Sequence, residues 1–369
     1  MSPAAAVGDP VGQVDTPALV VDLDAMERNL ARMAGFAKHH GLRLRPHAKT
    51  HKSASIARLQ IAAGAVGVCV QKVAAAEALA DQGIGDIFIS NEVVDDAKLQ
   101  RVASLARRIR LAIAVDSLLG IDRLARALHT AASALDVFVE IDVGQGRCGV
   151  APAAAGSLAH AVVAHGMRFG GLQAYHGGAQ HLRSPAEREA AARHTAGQTR
   201  AAQAGITAGG LACPLVTGGG TGSFAFEAAG GIVGELQVGS YLFMDRDYAD
   251  KEAAPQAPLF EQSLFVKSRV MSRGQSHAVV DAGHKAHAID SGPPAVRGRD
   301  LVWTSTSDEH GVLRAGRDAL PELGETVWLV PGHCDPTVNL HDHYIAVRGG
   351  LDLGVVESVW AVDARGCMR

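Results

Sequence analysis

Arg43-Leu44-Arg45-Pro46-His47-Ala48-Lys49-Thr50-His51-Lys52 sets two of the chain's eight lysines, with two histidines, directly behind a short apolar alternation that ends at Pro46. Alternation closed by a proline reads as a strand and its exit. A lysine at the C-terminal end of a buried strand lies between low-dielectric walls and neighbouring cations, which disfavour its charged form and leave a nucleophilic amine. Such an amine can hold an aldehyde as a Schiff base. Taken alone the segment would read as a solvated basic loop; its surroundings in the chain decide otherwise. If the strand stays extended through Thr50, Lys49 shares a pleat face with His47 and Arg45, and Lys52 falls past the strand end. Lys49 is therefore the expected reacting amine and Lys52 its competitor.

Working outward, strand and helix alternate up to about residue 245. Ala18 to Val21 is a short apolar run, after which Asp22 or Asp24 can cap a helix with Met26, Leu30 and Met33 on one face. Expected strands are Leu42 to Pro46, Ala65 to Val70, Ile87 to Ser90, Leu111 to Val115, Val137 to Asp142, Phe169 to Tyr175, Leu215 to Gly218 and Ile232 to Leu236. Alanine-rich helical stretches separate them, among them Val73 to Gln82, Asp95 to Arg107, Ile121 to Ala132, Pro152 to His165 and Pro185 to Ala204. Strands separated by helices imply right-handed crossovers and parallel pairing, and about eight such units imply a closed barrel. Past about residue 255 short runs between Gly, Pro and Asp turns, such as Phe265 to Ser272, Thr326 to Val330 and Tyr344 to Arg348, read as antiparallel strands with no helical period. The expected fold class is α/β, a (β/α)8 TIM-type barrel over residues 22–250 followed by a mostly antiparallel β-domain over 251–369, which also takes residues 1–21 as an N-terminal strand. Asp247 to Pro258 would connect the two.

The composition narrows the function. At 369 residues, 47% hydrophobic and 20% charged, the chain can bury a large core. A net charge of -3 offers no basic stripe to a nucleic-acid backbone, and aromatics at 4% are too sparse for base stacking. No window approaches a membrane span and the N-terminus lacks signal-peptide character, so a cytoplasmic protein is expected. Five cysteines, Cys69, Cys148, Cys213, Cys334 and Cys367, lack metal-knuckle spacing and support no disulfide framework.

Two further motifs carry chemistry. Thr217-Gly218-Gly219-Gly220-Thr221-Gly222-Ser223 follows an apolar run; its glycines let backbone amides converge and its hydroxyls add donors, which makes an anion cradle. It has neither the lysine of a nucleoside-triphosphate loop nor dinucleotide spacing. Near the end of a late barrel strand, it lies where such barrels bind phosphate. Pro331-Gly332-His333-Cys334-Asp335-Pro336 sends His333 and Asp335 to one face if extended, so that an imidazole and a carboxylate converge on one cation. Two protein ligands leave positions open for water or substrate oxygen, which suits a Lewis-acid divalent metal. Lesser signals are Arg147, at a glycine-loosened strand end where it can pair with a phenolate, and Tyr175 and His181 at another.

Together these residues resemble the D-threonine aldolase branch of the fold-type III pyridoxal-phosphate enzymes, which also include alanine racemase and D-serine dehydratase. The resemblance runs from Asp15-Thr16-Pro17-Ala18 to His341-Asp342, with Arg45 to Lys52 its most specific mark. It implies pyridoxal 5'-phosphate bound by Lys49, its phosphate among Thr217, Gly219, Gly220 and Thr221 with Gly239, Ser240 and Tyr241, its phenolic oxygen facing Arg147 and its ring near Tyr175. D-serine dehydratases of the group place a cysteine two residues after the metal histidine, where this chain has Asp335; that favours the aldolase. A hard carboxylate also favours manganese, ahead of magnesium or zinc. The implied reaction is retro-aldol cleavage of D-threonine and related D-β-hydroxy-α-amino acids, with His181, directly or through a metal-bound water, as the base, in a homodimer. The alternatives are a metal-dependent D-serine or 3-hydroxyaspartate dehydratase, and a non-catalytic pyridoxal-phosphate-binding protein, whose single-barrel form lacks a β-domain.

Overall fold

The structure, a computed structural model, describes residues 3–255 and 257–369. Eight parallel strands, Arg43–Leu44, Val68–Val70, Asp86–Ile89, Arg110–Val115, Asp136–Glu140, Arg168–Ala174, Val216–Gly218 and Glu235–Leu236, follow one another around a single sheet in chain order. The last pairs with the first through Arg43 and Glu235, and a parallel bridge between His47 and Cys69 joins the first to the second. Helices between the strands face outward, and side-chain caps fix the start of some of the barrel's helices. Asp22 accepts the amide of Ala25 at the start of Leu23–His39, and Ser184 and Glu187 form a reciprocal capping box before Pro185–Ala208. Val, Ile and Leu of the strands pack against the inward faces of these helices, while Cys69, Phe88, Ala114 and Phe138 fill part of the barrel interior.

The second sheet has nine strands, mostly antiparallel, centred on Leu264–Arg273. Its strand Ala18–Asp22 runs antiparallel to Leu264–Arg273, with Leu19 opposite Val266, and parallel to His343–Arg348, with Val21 opposite Ala346. Buried Lys267 ties the preceding segment down by donating to the carbonyls of Val11, Gly12 and Val14 at 2.9, 3.1 and 2.6 Å. Strands Ala295–Val296 and Gly311–Ala315 carry too few apolar alternations to be foreseen.

Two local expectations fail. The first barrel strand is regular over Arg43–Leu44 and its pairing runs on past Pro46, the Arg45 and His47 amides donating to Leu236 and Val238 at 2.9 and 3.0 Å and the Ala48 amide to Cys69 at 2.8 Å. The chain then turns instead of staying extended through Thr50, with the Lys52 amide donating to the Ala48 carbonyl at 2.7 Å. Arg45 and Lys49 consequently do not share a face. Arg45 points to the N-terminal mouth, donating to Glu235 at 3.0 Å and Asp86 at 2.6 Å, and Lys49 to the C-terminal mouth. The metal motif is likewise not extended: His333 caps a short helix, Cys334–Val338, where the Cys334 amide donates to Asp245 at 3.0 Å.

Candidate active site

The C-terminal ends of the barrel strands and the edge of the β-domain enclose a cleft of about 710 Å³, bordered by Lys49, Arg147, Tyr175, His181, Ser240 and His333. A cavity of about 730 Å³ lies at the opposite mouth, but its charged groups are spent on one another, Arg168 on Asp136 at 2.8 Å and Arg45 on Asp86. Size does not separate the two; chemistry does, because only the first presents an amine beside polar groups of both domains.

Lys49 projects from the turn after His47 and is ion-paired with Asp335. Burial disfavours its ammonium, but the charge and hydrogen bond of the Asp335 carboxylate outweigh burial and raise its pKa above the ordinary lysine value. The expectation of a neutral resting amine is therefore corrected: neighbouring negative charge, absent from the local sequence, dominates. Beneath it His47 is buried, accepts the Lys49 amide through Nδ1 at 3.3 Å, and lies 3.0 Å from Gln71 and 3.3 Å from the Ser90 hydroxyl through Nε2. Burial, then the Lys49 cation, pushes this imidazole well below its usual pKa, so it is neutral. Tyr175 is kept protonated by burial, and the Arg147 guanidinium carbon sits 5.9 Å from its ring centroid.

The glycine motif forms a turn at the end of Val216–Gly218. Gly219 has φ +74°, the left-handed region that favours glycine. The amides of Thr221, Gly239 and Ser240 donate to no acceptor among the described residues, and the Thr221 hydroxyl accepts the Tyr241 amide at 3.0 Å, tying the two loops together. Unpaired amides gathered beside a left-handed turn suit a phosphate. Two of the expected contacts lie elsewhere. The Thr217 hydroxyl is buried between Glu235 at 3.0 Å and Gln237 at 2.8 Å, below the cleft floor. The Tyr241 ring is in the core, its hydroxyl 3.2 Å from Gln60.

His333 and Asp335 border a second, mostly apolar cavity of about 350 Å³ on the other side of Lys49. The Nδ1 of His333 is 2.6 Å from Asp290, leaving Nε2 for a ligand. The Asp335 oxygen Oδ1 is buried without a hydrogen-bond partner. These two side chains could supply two direct ligands to a divalent ion and leave its other positions open; among the described residues no cluster of three His, Cys, Asp or Glu is arranged as a metal site. The buried Cys334 thiol is pushed well above its ordinary pKa by burial and does not offer a thiolate. His181 is 64% exposed, with Nδ1 3.2 Å from Asp247, which also holds Arg183 and Lys251. Lys52, with φ +52°, borders the second cavity only. Sequence reasoning missed Asp290, His47 and the Gln173–Gln237 floor pair; only His47 carried a local signal, its place two residues before Lys49.

A closed parallel barrel whose first strand delivers a lysine to the mouth, joined to an antiparallel domain, defines the alanine racemase-like class of pyridoxal-phosphate enzymes. Residues 21–247 match the family "Alanine racemase, N-terminal domain", and residues 263–347 the "Putative serine dehydratase domain". The chain is 46% identical to a D-threonine aldolase of an Arthrobacter species over 100% of its own length and 97% of the relative's. It is 45% identical to a 3-hydroxy-D-aspartate aldolase of Paracoccus denitrificans (strain Pd 1222), covering 96% of this chain and 93% of that one. The crystal structure of D-threonine aldolase from Filomicrobium marinum superposes with a TM-score of 0.97 at 49% identity over the full length of both. The chain belongs to the D-threonine aldolase branch of the fold-type III pyridoxal-phosphate enzymes. Among the described residues no helix is long and apolar enough to cross a membrane.

Proposed function

We propose that the chain cleaves D-threonine and related D-β-hydroxy-α-amino acids, 3-hydroxyaspartate among them, to glycine and an aldehyde, with pyridoxal phosphate and a divalent metal, manganese ahead of magnesium or zinc. The observation that carries this reading is the approach of Lys49, from the barrel, to Asp335 and His333, from the β-domain, at one cleft wall. Pyridoxal phosphate, when bound, supplies the electron sink for breaking a Cα–Cβ bond. A divalent ion held by His333 and Asp335 would supply Lewis acidity toward a β-hydroxyl.

The chain's own residues do the rest. The Lys49 ammonium must give up a proton before its nitrogen can act as a nucleophile, and Asp335 is the carboxylate in contact with it. The amides of Thr221 and Ser240 hold a phosphate, and Arg147 balances an anionic ring oxygen. His181, its Nδ1 turned to Asp247, offers Nε2 as the base for the β-hydroxyl proton. The working unit is a cytoplasmic homodimer, as the family resemblance implies.

Incubation with D- and L-threonine, with and without manganese, followed by glycine detection, tests stereochemistry, bond broken and metal together. Glycine from the D isomer only, and more with manganese, is expected; no glycine from either isomer would refute the reading. The serine-dehydratase match over residues 263–347, which contain His333 and Asp335, motivates the second reading. Ammonia and a keto acid in place of glycine and an aldehyde would establish it.

A further inference from the structure

Arg147 makes no hydrogen bond to a described side chain, and what holds its guanidinium is not evident from the cleft itself. The loop that carries it is stapled at its base. The Val150 amide donates to Glu140 at 3.0 Å, the Asp142 amide to Val150 at 2.9 Å, and the Asp142 carboxylate accepts the amides of Gly144 and Gly146 at 2.9 and 3.1 Å. Behind the guanidinium, at the end of Asp136–Glu140, Glu140 stands 3.9 Å from Nη2. Glu140 is only 3% exposed, and Glu92, from the turn after Asp86–Ile89, abuts it. With both carboxyls ionised, Oε2 of Glu140 and both oxygens of Glu92 are buried without a donor. A proton between them supplies one.

The surroundings support a single shared proton. Burial, then the charge of Glu92 and its hydrogen bond, raises the Glu140 pKa, with Asp116 adding to it and Arg147 opposing it. The Cys148 thiol is pushed up to about 11, by burial and then by Glu92, and stays neutral. Asp116 is occupied, accepting the Gly149 amide at 3.2 Å. A buried carboxyl pair is costly to keep, and neither member is hydrogen-bonded to Lys49, His333 or Asp335. The cation paired with Glu140 is Arg147.

We propose that the Glu140–Glu92 carboxyl pair is the positioning element for Arg147, holding its guanidinium on the side of the cleft where it can neutralise the phenolic oxygen of bound pyridoxal phosphate. The inference rests on the cofactor reading above. Glu140 and Glu92 are positioning residues; they act on the cofactor only through Arg147. Removing their net charge while keeping their shape frees the guanidinium to drift and changes the charge felt by the cofactor ring, which its absorbance reports.

The test uses the holoenzyme, with Glu140→Ala, Glu140→Gln and the double variant Glu140→Gln/Glu92→Gln. It follows the pH titration of the visible cofactor absorbance, together with kcat and KM for D-threonine. The double variant keeps the volume and a hydrogen bond but loses the charge. Its titration midpoint is expected to move by about one unit, and its kcat to fall about tenfold with KM within about twofold. Glu140→Ala, which removes the side chain that faces both Arg147 and Glu92, should behave similarly, and Glu140→Gln, which keeps that side chain's shape and hydrogen bond together with the Glu92 charge, should recover most of the loss. A double variant that titrates like the parent with kcat within about twofold overturns the proposal, as does a Glu140→Gln variant as impaired as the double. These results require a parent that shows the cofactor absorbance; a parent without it refutes the cofactor reading, and this inference with it.

Discussion

Lys49 and Asp335, 286 positions apart, form an ion pair across the junction between the barrel and the β-domain. Burial alone would raise the Asp335 carboxyl, but Lys49 and His333 hold it down to about 2. The amine and one proposed metal ligand are thus electrostatically coupled, and whatever engages Lys49 frees a carboxylate for a cation. Lys49→Ala is expected to lose the visible cofactor absorbance and to lower kcat by about a thousandfold or more. A variant with parental absorbance and rate would remove Lys49 from the reaction.

The metal role separates from the cofactor role by titration. His333→Ala and Asp335→Asn should abolish the stimulation of cleavage by manganese while leaving the cofactor absorbance in place. Asp290→Asn, which touches only the Nδ1 side of His333, should weaken manganese activation by about 10-fold to 100-fold, the usual cost of losing a carboxylate that orients a ligand histidine. Equal manganese dependence in all three variants would exclude this site.

Periodicity made the barrel legible. The eight strand positions and the five helices expected between them follow from apolar runs, because each depends on neighbours within a few residues, whereas the short helices Ala54–Ala62 and Phe224–Gly230 do not. The turn that takes Lys49 and Thr50 out of extended backbone, closed by the Lys52 amide on the Ala48 carbonyl, has no mark in the alternation. Lys49, His333 and Asp335 were recognisable as reactive types, but their pairing was not, since it is made by two sheets meeting. The same holds for Asp290 beside His333 and Glu92 beside Glu140: an isolated acid in a loop carries no mark of the partner it will face. The short helix Cys334–Val338 escaped notice because five residues are too few to show a period.

The cradle can be tested without touching the amine. A Cβ on Gly219 would lie 2.3 Å from the Glu227 carboxyl, and one on Gly220 2.5 Å from the Gln180 side-chain amide. Gly219 also needs its left-handed φ, at a cost of about 1 kcal/mol or more for any other residue. Gly220→Ala should therefore weaken pyridoxal phosphate binding, read by equilibrium dialysis of the free enzyme, with a modest loss of stability; Gly219→Ala should weaken binding and lower the unfolding midpoint more. Unchanged affinity in both would place the phosphate elsewhere.

Acid should weaken the contribution of two buried histidines. Burial lowers the pKa of His51 from 6.5 to about 4, against hydrogen bonds to Gln60 and Ser53, and burial lowers His287 to about 4 beside the Trp303 ring. The unfolded chain takes up these protons near pH 6.5 and the folded chain refuses them until near pH 4. Their contribution is therefore complete above about pH 6.5 and is lost as the pH falls toward 4, by at most about 3 kcal/mol per histidine. Burial raises the Glu227 and Glu140 carboxyls, which act in the opposite sense over this range, so the histidine contribution is read as a difference. In urea denaturation at pH 7.5, 6 and 5 the midpoint of His287→Leu, which removes one titrating group from an apolar site, should rise relative to the parent as the pH falls. A His287→Leu variant with the parental pH slope would mean that this imidazole is not held neutral by burial.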